Sequence, residues 1–249
     1  MPGAAALLAL VATAWTAPRA DAQVSSNIQD YVASKLDDFT ADLHLVKYDS
    51  DAGHKINKDF GLIYNWMQKS HGDLRLCYKE PDKMRIDGTF GASKGTFIVN
   101  ENHQITRLSL GLRDERDLGD TPGKRKTLLD VGLISEDYLS YTQAEFRGSR
   151  PYKGVDCAVF NISYKDKNKD TSHRIVWIDP KTRVTLKREE YSQVGKLLSI
   201  WYYHDPHEVA SGIFMPSTIE IDDSDGELAG ETAYKNIKVN QGVADGLFR

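Results

Sequence analysis

Apolar residues change their spacing once along this chain. Ile28, Val32, Leu36, Phe39, Leu43 and Val46 recur every three to four residues, with Asp37, Asp38 and Asp42 towards the other side. That spacing predicts one amphipathic helix over 27–46, capped by Ser25 or Asn27 and broken by the stretch 49–53. From about Ile56 the period becomes two. Met84, Ile86, Gly88 and Phe90 then share one face of a strand, while Arg85, Asp87 and Thr89 take the other. Further strands are predicted over 96–100 and 106–112. The stretch RDERDLGDTPGKRK, 113–126, is charged and carries Gly and Pro, which reads as a loop. Ser135 ahead of Glu136 and Asp137 is a helix start, so one or two short helices fall between 124 and 141.

The remainder is strand after strand: 155–164, 174–179, 183–191, 197–204, 213–221 and 231–240. Turn sequences separate them, among them KDKNKD and DPKT, where Asp179 and Pro180 suit the first two positions of a type I turn. A turn every 13 to 17 residues or about that means long antiparallel strands joined by hairpins, not strand–helix–strand units. The expected fold class is mainly β with few helices, built on one large curved antiparallel sheet. A sheet of that size curls, and the few helices cannot cover a whole face. A concave apolar surface partly lidded by helices follows, and small apolar molecules bind in such concavities. The candidate ligand cavity is lined by Met84, Ile86, Phe90, Trp201, Tyr203, Ile213, Met215, Ile219 and Ile221, with Phe39 and Leu43 facing it from the lid helix. Each of these either lines a cavity or packs under the helices, because a one-residue slip of register exchanges the two faces. Arg85 reads either as a rim charge for an acidic headgroup or partner, or as a strand arginine paired with Asp87.

Composition narrows the class. The 249 residues suit one large β domain, and 32 basic against 36 acidic residues, well mixed, give a net charge of −4. That balance excludes the basic stripe of a nucleic-acid-binding surface. Ala4–Trp15 is an apolar run too short to span a membrane, followed by Ala20-Asp21-Ala22, a small-x-small cleavage pattern. Residues 1–22 are therefore read as a signal peptide and 23–249 as one exported, soluble domain. No Lys or Arg precedes the run, so an N-terminal anchor helix stays open. Cys77 and Cys157 are either bridged, as exported chains allow, or two free thiols. His204, Asp205, His207 and Glu208 are a candidate metal cluster, or the solvated residues of a loop that contains Pro206. The sequence holds no GxSxG, no phosphate-binding glycine loop and no HExxH. Neither a cofactor nor a resident metal nor catalysis is expected.

Four stretches in order carry a resemblance. They are GDLRLCYKEPDKMRIDG (72–88), VWIDPKTRVTLKREEYSQVGKL (176–197), GIFMPSTIEI (212–221) and YKNIKVNQGVADGLF (234–248). Each is similar to a segment of the LolA-like superfamily, the periplasmic lipoprotein carriers and outer-membrane lipoprotein-sorting proteins. The resemblance implies an unclosed half-barrel of about eleven antiparallel strands lidded by helices. It also implies an apolar cavity for a lipid or an acylated lipoprotein. The partners it implies are an inner-membrane lipid or lipoprotein exporter and an outer-membrane acceptor, met by a periplasmic monomer. Some relatives are instead envelope sensors that contact a membrane protein, and this is the alternative function. One departure is specific: Glu80 stands directly before the hairpin proline, where the founding carrier has an arginine tied to lid closure.

Overall fold

Alternation of apolar and polar residues decides most of the architecture. The computed structural model describes residues 23–33, 35–70, 73–90, 93–109 and 111–249; the predicted signal peptide, 1–22, lies outside the described residues. In chain order the strands and helices are β1 (Asp38–Tyr48), α1 (Ser50–Ile56), α2 (Lys58–Lys69), β2 (Asp73–Lys79), β3 (Lys83–Phe90), β4 (Ser93–Asn100), β5 (His103–Leu108), β6 (Arg113–Asp117), α3 (Glu136–Tyr141), β7 (Thr142–Tyr152), β8 (Val155–Tyr164), β9 (His173–Ile178), β10 (Thr185–Tyr191), β11 (Leu197–His204), β12 (His207–Ala210), β13 (Ile213–Met215), β14 (Thr218–Asp223) and β15 (Leu228–Val239). Short 3-10 turns occupy Ile28–Tyr31, Pro122–Lys124, Leu128–Val131 and Asp245–Phe248.

Among the described residues, thirteen strands form one sheet in the order β6-β5-β4-β3-β2-β1-β15-β14-β11-β10-β9-β8-β7. Every pairing is antiparallel, and the two end strands, β6 and β7, do not pair with each other, so the sheet is not closed. The count exceeds the expected eleven, and β12–β13 adds a separate two-stranded ribbon. Strand β8 shows how the sheet divides its residues. Ala158, Phe160 and Ile162 face one core, while Cys157 and Val159 face another on the opposite side.

The sequence-based helix over 27–46 is overturned. Asn27 does cap a turn, accepting from the Gln29 amide, but that 3-10 turn ends at Tyr31. Residues 38–48 are strand β1, paired with β2 on one side and β15 on the other. Residues four apart share a face in a helix and in a strand alike, so Phe39 and Leu43 did not discriminate. Ala41, buried between them, did. The helices lie just after. Asp49 accepts from the amides of Asp51 and Ala52 to start α1, and Asn57 accepts from the Phe60 amide to start α2. Phe60, Tyr64 and Met67 then form the buried stripe of α2.

Two smaller departures have plain causes. Arg113–Asp117, read as loop, is the edge strand β6, exposed throughout and made only of charged residues, a composition that discourages further pairing. The predicted strand 213–221 is split at Pro216, which has no amide to donate to the ladder. Cys77 and Cys157 are free and buried, on strands β2 and β8 that six others separate in the sheet. No helix among the described residues is long and apolar enough to cross a membrane.

Helices α1 and α2 pack across the sheet, against β1, β3, β11, β14 and β15. The close approach of α2 to β15 depends on Gly230. A Cβ placed there would lie 2.2 Å from Tyr64 Cε1. The Tyr64 ring is held by stacking on Phe60, at 4.3 Å between centroids, and on Tyr48, at 5.4 Å. Gly230→Ala is therefore expected to destabilise by about 1–3 kcal/mol, the usual cost of overpacking, read as a lower urea midpoint at unchanged slope.

Candidate functional site

A recess of about 510 Å³ lies between α1–α2 and the inner face of the sheet. That size is in the range of small-molecule sites. Its floor is built by period-two alternation. Leu43 comes from β1, Leu76 from β2, Met84 and Ile86 from β3, and Trp201, Ile219 and Ile221 from β11 and β14. Its roof is the apolar stripe of the helices, with Ile56 and Phe60 followed by Ile63, Tyr64 and Met67.

Of the sequence-predicted lining residues, Leu43, Met84, Ile86, Trp201, Ile219 and Ile221 are brought together here. Leu43 arrives from the sheet, not from a lid helix. Phe39 does not line the recess. It is fully buried and stacks on Tyr78 at 5.5 Å. Tyr203 is also core, its hydroxyl donating to the Leu129 carbonyl at 2.8 Å. Ile213 and Met215 sit on the small ribbon strand β13, displaced from the main sheet by the Pro216 break, and are buried there. Phe90 ends β3 opposite Ser93; its side chain lies outside what the structure describes. Arg85 is corrected as a rim residue. Because Met84 and Ile86 point inwards, Arg85 points to the other face. There it pairs with Asp87 at 2.7 Å and donates to the Leu247 carbonyl at 2.8 Å, tying down the C-terminal turn.

The polar end of the recess was not visible in the alternation. The segment after β6 brings Lys124, Arg125 and Lys126 to it, together with Arg116 of β6 and Asp130. Arg116, Lys124 and Asn57 both line the recess and are exposed, which marks the mouth. Behind them sits a buried charge network. Arg174 donates to Tyr164 Oη at 2.8 Å, to the Gly123 carbonyl at 3.1 Å and to Glu190 at 3.1 Å. Arg188 lies 4.0 Å over the Trp201 ring and donates to the Leu129 carbonyl at 3.2 Å and to Asp130 at 3.4 Å. Burial pushes the Asp130 carboxyl up, but Lys126, Arg188 and the Thr127 amide hold it below the usual carboxylate range.

Below the mouth the β2–β3 hairpin meets α3 through acids. Tyr78 Oη donates to Glu80 at 3.0 Å, and Tyr141 Oη donates to Asp82. Burial, with Asp82 and Asp137 nearby, pushes the Glu80 carboxyl up to about 8. Burial likewise pushes Asp82 up to about 6 against the pull of Arg125. In the loop that raised the metal question, His204 Nε2 lies 3.2 Å from Glu220, and Lys153 approaches its other ring nitrogen at 3.2 Å. Among the described residues no three His, Cys, Asp or Glu side chains converge as a metal site.

Comparison with known proteins bears on the fold. A family model described only as "Uncharacterized protein" matches residues 127–249, from the turn beside the mouth to the end of the sheet. No curated protein matches the chain in sequence. Among solved structures, a DUF1329 family protein from Desulfovibrio piger is 11% identical, with a TM-score of 0.51 over 89% of this chain and 92% of that one. A LolA superfamily protein from Nitrosomonas europaea is 13% identical, with a TM-score of 0.58 over 89% of this chain and 94% of the other. Over that span the chain has the fold of a LolA superfamily protein.

Proposed function

We propose that this protein is a non-catalytic carrier of the cell envelope that encloses a lipid, or the acyl group of a lipoprotein, in its half-barrel. The observation that carries this reading is the recess itself, apolar on floor and roof and open at one charged end. Apolar burial alone supplies the affinity. Each buried methylene contributes about 0.8 kcal/mol, so a dozen carbons offer roughly 10 kcal/mol before the costs of association. In the finer form of the proposal, the exported protein receives its cargo from an inner-membrane exporter and hands it to an outer-membrane acceptor. No covalent step is required for either transfer.

Native mass spectrometry of the protein purified from its own envelope, with extraction of what comes off, is the test. A co-purifying acyl lipid or lipoprotein supports the carrier. An empty protein that also ignores added amphiphiles overturns it and leaves protein contact as the role of the fold. A cavity-filling pair sharpens the result. Ile86→Trp and Ile221→Trp place indoles in the recess from β3 and β14. Each is expected to weaken amphiphile binding by about tenfold or more while the recess absorbs the added volume. Unchanged binding in both variants would show that the ligand sits elsewhere.

A further inference from the structure

The recess has two unlike ends, and only one is explained by acyl-chain burial. Five basic side chains border it, Arg116, Lys124, Arg125, Lys126 and Arg174, against two acidic ones, Asp130 and Glu190. Arg174 is matched by Glu190 at 3.1 Å, and Arg116 by Asp114 at 3.0 Å. Asp130 is engaged by Arg188 at 3.4 Å and by the Thr127 amide at 2.9 Å, and it feels the Lys126 charge without a direct ion pair. The surplus of positive charge therefore falls on one short stretch, Lys124–Lys126. Arg125 is pinned by the Asn102 carboxamide and by the Tyr141 ring, 4.8 Å from its guanidinium, yet its buried Nε has no partner. The Lys124 and Lys126 ammonium groups form no hydrogen bond or ion pair with the described residues.

We infer that the ligand is an anionic amphiphile, whose phosphate or carboxylate headgroup is held at the mouth by Lys124 and Lys126 while its chain lies under α2. This deepens the carrier reading and rests on it. A neutral headgroup closing over the mouth would strip water from half-buried Lys126, whose charged neighbour Asp130 is shared with Arg188, and give nothing in return, and desolvating a charge without full compensation is costly. An anion replaces that water with charge-assisted hydrogen bonds, about twice as strong as neutral ones. The position of Lys124, exposed while lining the recess, lets it meet a headgroup that remains partly in solvent.

The test uses ligands that share one chain and differ only at the head: dodecyl phosphate, dodecylphosphocholine and a neutral dodecyl glycoside. Each is titrated as monomer against the whole exported domain. Dodecyl phosphate is expected to bind at least about tenfold more tightly than the glycoside, a preference that weakens with added salt. In Lys124→Gln/Lys126→Gln the preference is expected to fall to near parity, and in Lys124→Gln alone to an intermediate value. Glycoside binding by these variants reports that the cavity is still formed. Equal affinities for the three heads in the wild type would overturn the anionic ligand and leave the carrier standing. Binding of none of them would overturn both. A preference that survives in the double variant would overturn the assignment to these lysines. Inorganic phosphate competing as well as dodecyl phosphate would mark a free-anion site and overturn the headgroup.

Discussion

Arg188→Ala is expected to destabilise the fold by about 3–5 kcal/mol, the cost of breaking a buried charge network by removing one partner. Arg188 is 2% exposed, and its guanidinium meets four groups at once. It covers the Trp201 ring at 4.0 Å, bonds the Leu129 carbonyl and Asp130, and approaches Glu190 at 3.8 Å. Truncation leaves Asp130 and Glu190 sharing one fewer cation and opens a void behind a wall residue of the recess. Two terms therefore add, an uncompensated carboxylate and a cavity. Arg188→Met keeps most of the volume and removes only the charge, so it should cost clearly less than alanine. Equilibrium urea denaturation measures both. A cost below about 1 kcal/mol for alanine would mean that the network is not under the load this geometry implies. Because Trp201 loses its backing, any folded fraction of the alanine variant should also bind amphiphiles more weakly.

What the sequence disclosed depended on whether a residue's neighbours lay along the chain or across the sheet. From Val155 onwards, strands β8 to β11 and β15 fell where alternation and turn chemistry placed them. Asp179, for example, accepts from the Lys181 amide and receives the Thr182 hydroxyl at the predicted turn. These are local signals. The first strand was misread because Phe39 and Leu43 fit both periods, and its true state is set by two partners, β2 and β15, the latter some two hundred residues away in sequence. Asp49, which caps α1, was legible but was read as part of a break, and Asn57, which caps α2, fell where a period of two was expected. Met84, Ile86, Ile219 and Ile221 could be assigned to the cavity because strand alternation fixes their side. Tyr203 and Met215 obey the same alternation and still end in the core, since which inward residues stay uncovered depends on where the helices sit. The basic mouth was the least legible part. Lys124 to Lys126 carry no periodicity, and their meaning comes from the fold laying that segment across the open end.

Raising the pH from about 5 to 9 is expected to weaken the fold through Glu80. In the folded protein its carboxyl is pushed up to about 8, first by burial and then by Asp82 and Asp137. The groups facing it are Tyr78 from β2, Asp82 from the hairpin, and Asp137 and Tyr141 from α3, with Arg125 close to Asp82 from the mouth segment. None is a cation in direct contact with Glu80, so its neutral form is the stable one in place. The sign follows from linkage. Below the ordinary glutamate range both folded and unfolded chains hold the proton, and the group contributes no difference. As pH rises the unfolded chain releases its proton first, and stability falls until the folded carboxyl also ionises near pH 8. Asp82, at about 6, acts in the same direction over a lower window. The full span for Glu80 would be near 5 kcal/mol by proton linkage, and partial solvent access reduces it to roughly 2–3 kcal/mol. Glu80→Gln keeps the shape and removes the ionisation. It should match the wild type near pH 5, exceed it by that amount near pH 9, and flatten the profile between. Urea midpoints at three pH values decide it, and parallel profiles for the two proteins would refute the buried, protonated acid. Ionisation of Glu80 beside Asp82 and Asp137 is therefore expected to loosen the docking of the β2–β3 hairpin onto α3.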